Sequence, residues 1–527
     1  MTIDLVSNGT VVALSGSVAS GLTLQGNEQL YVYQGSEVDS TAVYTGGELD
    51  VFNGATAQNT TLFGGTEDIS ATGLAVDTTA DGGLQYVSGE AVGATITSGA
   101  EQYVDGNFEG TAASTVLMDG GFQELWGIAS NTTIFSGSLE FVQGYGISES
   151  TIIENGGAEI VQSGTAADST IESGGLLVVL PGASVTGTTL LAGGSSVSSG
   201  VVIVGGTVPF YAASLATSLT ASGETSYILH GGTAAAITIS GGSEVVYAGG
   251  TIVGNVLENH SGAYIETGGT AMGGQIGDAT EVIEAGGISV GDTVLSQGML
   301  IVYGTATNVV VQAVGTLTGG SVNNVTLDGG YASIGSLTGT ALLGSNATLS
   351  GGPPTAASVS FAGTNAELLL PEYSVTASNL GGLEIGGFFA TDTIILEGFS
   401  ATSESFVSGV GLELSNGTVT ETLDIVGSFS TGSFAVSNTS QGTEISLCYL
   451  RGTRIATPAG EAAVETLKIG DAAITRFGGY RRIKWIGRQS FGARFIRDNR
   501  HQLPVRIGAG ALGGGLPRRD LLVSPGH

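Results

Sequence analysis

The sequence predicts an all-β protein. Its fold class is a β-solenoid or β-helix of about 18-residue repeats, then a small β module, then a truncated β-rich C-terminal domain. Three observations predict it. Glycine supplies 90 of 527 residues, which without a G-X-Y period means a chain that turns very often. Gly-Gly pairs recur mostly in steps of 18 residues or multiples of it, with a slip near Gly99. Charge is partitioned along the chain: all 14 basic residues lie between Arg451 and Arg519. Five of the 46 acids lie beyond Leu447, so the formal charge is −41 up to Leu447 and +9 beyond it, for −32 overall. A break this sharp separates two modules with different chemistry. The single cysteine, Cys448, sits on the seam.

The repeats come first. Gly-Gly pairs end at Gly47, Gly65, Gly83, Gly121, Gly157 and Gly175, and the rhythm returns at Gly250, Gly269 and Gly287. One unit reads GAEIVQSGTAADSTIESG from Gly157, and an earlier one GELDVFNGATAQNTTLFG from Gly47. Each has an apolar run near its fifth position (Val51, Val161, Val179) and a glycine three residues on (Gly54, Gly164, Gly182). A second β-prone run follows near position fifteen, as at Thr61-Leu62, Ile171 and Thr189-Leu190. Two short strands are too little to fold alone. Stacked, each turn pairs with the turn below and buries its Val, Leu and Ile. About 18 turns between roughly residues 30 and 350, at roughly 4.8 Å per turn, predict a rod on the order of 85 Å long. The GG-x3-V-x2-G-x6-T-[TI] cadence resembles the strand-loop-strand repeats of autotransporter passengers of the AIDA adhesin type. That resemblance implies an adhesin-like, secreted or cell-surface bacterial protein, although no export signal and no translocator barrel are visible in the sequence. No run reaches about 18 apolar residues, so no transmembrane segment is expected.

From Pro354 the rhythm changes to alternating strands such as LEIGGFFATDTIILEGF. The expected organisation is therefore repeats over residues 1–353, a β-rich cap or connector over 354–447, and a C-terminal domain over 448–527.

Composition limits what the repeats can do. A uronate-cleaving site needs Lys or Arg, and none precedes Arg451. Acids such as Glu67, Asp68, Asp77, Asp81, Glu101 and Asp105 recur irregularly and suit solvated turns. A carbohydrate-active carboxylate pair is therefore the weakest of the functional readings. GGQIGDATEV from Gly273 is the nearest approach to a calcium nonapeptide and lacks its register, so no metal site and no cofactor are expected. His230 and His260 read as surface residues. A surface of this charge repels phosphate and excludes nucleic acid. Surface glycans or other cell-surface proteins are the expected partners.

The tail carries the chemistry. It opens CYLRGTRIATPAGEAAVETLKIGD and closes LLVSPGH. A leading cysteine followed by G-T-R-I-A-T-P-x-G, then V-E-x-L-x-x-G-D at Val464 to Asp471, then S-P-G-H in the place of a T-x-x-H block, resembles the start of a Hint domain. This is the fold shared by Hedgehog C-terminal regions and inteins, in the bacterial type that terminates secreted repeat proteins. The resemblance implies an N-to-S acyl shift: the Cys448 thiol attacks the carbonyl of Leu447 and the Leu447–Cys448 amide becomes a thioester. It gives His527 the role of acid/base protonating the departing amine, and Ser524, in place of threonine, that of hydrogen bonder. An unperturbed thiol is only a few per cent thiolate at neutral pH, and Arg451 or Arg454 could lower its pKa. His501 matches no block and reads as a surface residue. The 80 residues from Cys448 to His527 are fewer than the resemblance implies, so the domain is expected to be truncated or degenerate. The alternative is a purely structural or interaction solenoid with a vestigial tail.

Overall fold

The computed structural model describes residues 11–14, 16–107, 109–205, 210–351, 357–371, 380, 383–389, 391–427, 429, 433–447, 454–474, 479–483, 486, 505–507 and 521–523. The chain is nearly all β, a β-solenoid followed by a β-rich C-terminal region. No α-helix occurs among the described residues. The chain divides into two compact units, Met1–Val256 with His260–Thr270, and Leu257–Asn259 with Ala271–His527.

The first unit opens with a stack in which each turn supplies three short strands rather than two. One turn is Glu48–Val51, Thr56–Gln58 and Thr61–Phe63. Each strand pairs in parallel with its counterpart one turn on, Leu49 opposite Glu67, Ala57 opposite Ala75 and Leu62 opposite Ala80. Repetition builds three parallel sheets of 11, 10 and 10 strands. Side chains alternate in and out, as a pleated strand requires: Leu49, Val51, Ala57 and Leu62 are fully buried. The middle strand escapes the sequence pattern because its inward residue is alanine in turn after turn. Ala57, Ala75, Ala91, Ala112, Ala129 and Ala166 are all buried, yet a lone alanine, as after the threonine at Ala57, Ala112 and Ala166, carries little apolar signal.

The paired glycines do two different jobs. Gly156 and Gly174 turn the corner at φ 79° and 83°, in the left-handed region that costs glycine little. The partner of each meets the turn beneath: a Cβ on Gly157 would lie 2.4 Å from the carbonyl oxygen of Ile134, and on Gly175 2.4 Å from that of Ile153. Another corner takes polar residues at positive φ, including Asn59, Asp77, Ser114, Asn131, Ser150 and Asp168, the side chains that best tolerate this conformation.

The first stack ends at Ser184–Thr186, Thr189–Leu190 and Ser195–Val197. Val201–Val204 then runs antiparallel to Thr225–Ile228, and three-strand turns resume at Leu215–Thr217, Thr220–Ser222 and Thr225–Ile228. The new stack packs against the outside of the old one. Ala158, Ile160, Leu176 and Val178 cluster with Val202, Val204, Tyr227 and Leu229, all buried.

In the second unit the solenoid corners straighten into long strands, Met299–Gln312, Thr316–Asp328 and Tyr331–Leu343, paired in parallel. From Ser403 antiparallel pairing enters: Ser403–Val407, Gly411–Ser415 and Thr420–Ile425 form a meander, whose last strand still pairs in parallel with Glu384–Gly386. Gly442–Leu447 lies antiparallel to both Thr393–Glu397 and Phe434–Asn438.

Candidate functional site

Leu447 is the last residue of Gly442–Leu447. That strand is firmly held upstream. Thr443 is fully buried; its hydroxyl accepts from the Ala401 N–H at 2.9 Å and can donate to the Phe399 carbonyl or to Asn438 Oδ1, each 2.9 Å away. Ile445 is buried, as is Phe434 across the sheet. Against Thr393–Glu397 the register covers Gly442 to Ile445, whereas against Phe434–Asn438 it continues to Leu447. Ser446 and Leu447 therefore lie past the paired register with Thr393–Glu397 and are half-buried. A carbonyl at the end of an extended, anchored strand is held in a defined orientation.

Cys448, Ser524 and His527 lie outside the described residues, as do Arg451 and His501. The strands that lead to them are described. Leu521–Val523, which runs directly into Ser524, pairs antiparallel with Val505–Ile507, with Val523 opposite Val505. Arg454 is exposed at the start of a hairpin, Arg454–Thr457 against Gly460–Ala463.

The V-E-x-L-x-x-G-D motif turns out to build structure. Val464–Thr466 forms one 3₁₀ turn, after which Leu467 is buried. The Asp471 carboxylate accepts the Lys468 N–H at 2.8 Å. Gly470 takes φ 96° with open space around it, so its conformation rather than its size demands glycine. Ile483 closes the loop through hydrogen bonds to Gly470 and Asp471, and the Arg482 guanidinium donates to the Gly470 carbonyl at 3.0 Å. The motif thus launches the hairpin Ala472–Ile474 with Tyr480–Arg482.

In the solenoid the structure corrects one reading. Glu67 is not in a solvated turn: it points into the core with no exposure, and Asp105 is buried too. Glu67 begins a ladder of inward polar residues, one per turn, in register: Glu67, Gln85, Gln102, Gln123, Glu140 and Glu159. The Gln85 amide donates to Glu67 at 2.8 Å and the Gln102 amide to Gln85 at 2.6 Å. Thr78 donates to Glu67, Ser148 and Thr151 to Glu140, and Ser169 to Glu159. One oxygen each of Glu67, Glu140 and Glu159 is buried without a hydrogen-bond partner. Burial raises the pKa of all three, and for Glu140 the neighbouring Glu159 raises it further. Buried Glu244, which accepts from the Asn255 amide, is likewise raised, to about 7. A signal for the ladder existed in the sequence: Glu or Gln two residues past the repeat glycine, as in Gly65-Thr-Glu67, Gly83-Leu-Gln85 and Gly157-Ala-Glu159.

His230 and His260 are exposed. Among the described residues no group of three or more His, Cys, Asp or Glu is placed to hold a metal ion, and no helix is long and apolar enough to cross a membrane.

Residues 447–527 match the family model of the Hint domain. Among solved structures the chain is similar to a TibC-catalysed hyper-glycosylated TibA fragment, with 24% identity, 59% of this chain and 94% of that chain covered, and a TM-score of 0.27. No curated protein sequence matches this one.

Proposed function

We propose that this is a secreted or cell-surface, adhesin-like repeat protein whose Hint segment cuts it at Leu447–Cys448. The Hint match over residues 447–527 carries the reading, and the anchored strand that ends at Leu447 supports it. In this scheme the Cys448 thiol gives up its proton to His527 and the sulfur attacks the Leu447 carbonyl carbon. The C–N bond breaks as His527 delivers a proton to the amine, and Ser524 orients the reacting groups through its hydroxyl. The product is a thioester with Leu447 as the acyl group. Water or an external amine or thiol then takes that acyl group and frees the Cys448 thiol. The solenoid would be the part displayed or attached, with surface glycans or other cell-surface proteins as its partners.

Intact-mass spectrometry of the purified chain tests this reading. The expected result is a fragment ending at Leu447, increased by hydroxylamine as its hydroxamate and absent in Cys448→Ala; His527→Ala should slow its appearance. An uncut chain under all of these conditions would instead favour a structural solenoid with an inactive tail.

A further inference from the structure

The first stack stops in an unusual way. In the body of the solenoid the inward residues are sealed: Ala166 and Ile171 are fully buried. One turn later their register partners are Val185 and Leu190. Val185 is only half-buried, Leu190 is 56% exposed and its neighbour Leu191 41% exposed. Ser184–Thr186 and Thr189–Leu190 are the last strands of their sheets, so this turn presents both an open core and an open backbone edge. The second stack begins with a matching edge. Leu215–Thr217 and Thr220–Ser222 pair in register with the turn that follows them, Leu215 is 56% exposed, and no preceding turn is in register with them among the described residues.

Three observations indicate what joins these edges. The first is charge. Residues 173–223, which contain both, carry no Asp, Glu, Lys or Arg, in a chain with 41 acids before Cys448. Natural sheet edges are normally guarded by charge against pairing with another chain, and here the guard is missing where the edges are open. The second is pattern. Thr170 stacks on Thr189 in the first stack and Thr220 on Thr238 in the second, each beside an inward residue: Ile171, Leu190, Ala221 and Ile239. Placing Thr220–Ser222 on Thr189–Leu190 continues the threonine column and sets bulky Leu190 against small Ala221. The third is that the chain's own second stack is fixed elsewhere. Val202, Val204, Tyr227 and Leu229 are buried against the outside of the first stack, and bringing residues 215–222 onto residues 184–190 of the same molecule would tear that cluster apart.

We propose that the end of the first stack, Ser184–Leu190, receives the start of the second stack, Leu215–Ser222, of another copy of this chain. The contact is heterologous, one edge meeting a different edge. It therefore builds a closed pair or ring if the rotation closes and an open series if it does not. Parallel β-pairing supplies the hydrogen bonds, and Val185, Leu190 and Leu191 supply the apolar contact.

Two single-cysteine proteins test it, both in full-length Cys448→Ser: one with Leu190→Cys, the other with Ala221→Cys. Mixed and oxidised, they should give a disulfide joining one chain of each kind, read by mass spectrometry after non-reducing electrophoresis. No cross-link, or a Leu190→Cys chain joined mainly to its own kind, overturns the proposal. Sedimentation velocity of the Cys448→Ser parent should show species larger than one chain. Ser184→Lys, an exposed position on the edge itself, should raise the dissociation constant of the assembly at least tenfold while leaving the far-UV spectrum unchanged. A parent that sediments as a single chain at every concentration, or a Ser184→Lys protein that associates as the parent does, also overturns it.

Discussion

Replacing Glu159 by glutamine should stabilise the solenoid at pH 7 and do little at pH 4.5. Glu140 and Glu159 occupy consecutive rungs of the buried ladder, directly in register. The groups around Glu140 are Gln123 and Glu159 on the neighbouring rungs and the hydroxyls of Thr132, Ser148 and Thr151; around Glu159 they are Glu140, Ser148, Ser169 and Leu177. None carries positive charge, so both carboxyls are held above the ordinary value of 4.5. In the unfolded chain each ionises near that value. Between it and the raised folded pKa, the folded state therefore binds more protons than the unfolded state. Stability is fully present below pH 4.5 and falls as pH rises toward the folded pKa. Each such carboxyl costs about 1.4 kcal/mol per pH unit across that window. Removing one by Glu159→Gln should halve the pair's contribution to the slope. The new amide can also donate to the Glu140 oxygen that has no partner, as Gln85 already does for Glu67. By pH 6.5 the gain should be on the order of 2–3 kcal/mol. Urea unfolding followed by Trp126 fluorescence in a Trp485→Phe background reads this stack, because Trp126 sits between the Gln123 and Glu140 rungs. Wild-type and Glu159→Gln midpoints that stay a constant distance apart from pH 4.5 to pH 7 would refute the reasoning.

Other outcomes can be checked in the same assay. Gly157→Ala should cost roughly 1–3 kcal/mol, because its Cβ would press on the Ile134 carbonyl of the turn beneath. Ile96→Ala, at a fully buried site, should cost roughly 2–5 kcal/mol through the cavity it leaves, and a smaller loss would mean that the stack collapses around the gap. In the C-terminal segment Asp471→Ala removes the acceptor for the Lys468 N–H; faster hydrogen exchange at Lys468 to Ile474 is the expected sign, and unchanged protection would count against a capping role.

The sequence carried the solenoid through its glycines, since a left-handed corner next to a close approach leaves little choice but a Gly-Gly pair. It did not carry the number of strands per turn. Ala57 and Ala166 are core residues whose side chains are too small to stand out from the surrounding threonines. The ladder stayed hidden for the opposite reason: Glu67 and Gln85 look solvent-exposed by residue type, and only the in-register stacking shows that each has its hydrogen-bond partner on the next turn. In the tail, motif spacing was enough to identify the Hint segment. What spacing alone did not separate were residues that do chemistry from residues that build a turn, and the Val464 to Asp471 motif proved to belong to the second kind.

The absence of Lys and Arg before Arg451 is the fact that links these observations. A stack without cations cannot pair its carboxylates across turns, so it must neutralise them by protonation or accept their repulsion. The interior takes the first course, at Glu140 and Glu159. The half-buried face takes the second: Glu48 and Asp50 lie on one strand, with Asp68 in register beside Asp50. The pKa of Asp50 is pushed to about 7, by burial first and then by Glu48 and Asp68. Because Asp50 is only partly enclosed, solvent screens much of this, and a directly opposed pair of like charges on neighbouring strands is worth roughly 0.2–1 kcal/mol. Salt should therefore stabilise this stack, since added ions screen repulsion and no Lys or Arg precedes Arg451. Raising sodium chloride at pH 8 should move the urea midpoint upward, and Asp50→Asn should reproduce part of that shift at pH 8 and lose its advantage as pH falls to the ordinary carboxyl value of 3.8, where Asp50 is protonated in the folded chain and largely so in the unfolded one. A midpoint that falls with salt would mean that attraction rather than repulsion dominates the charged face.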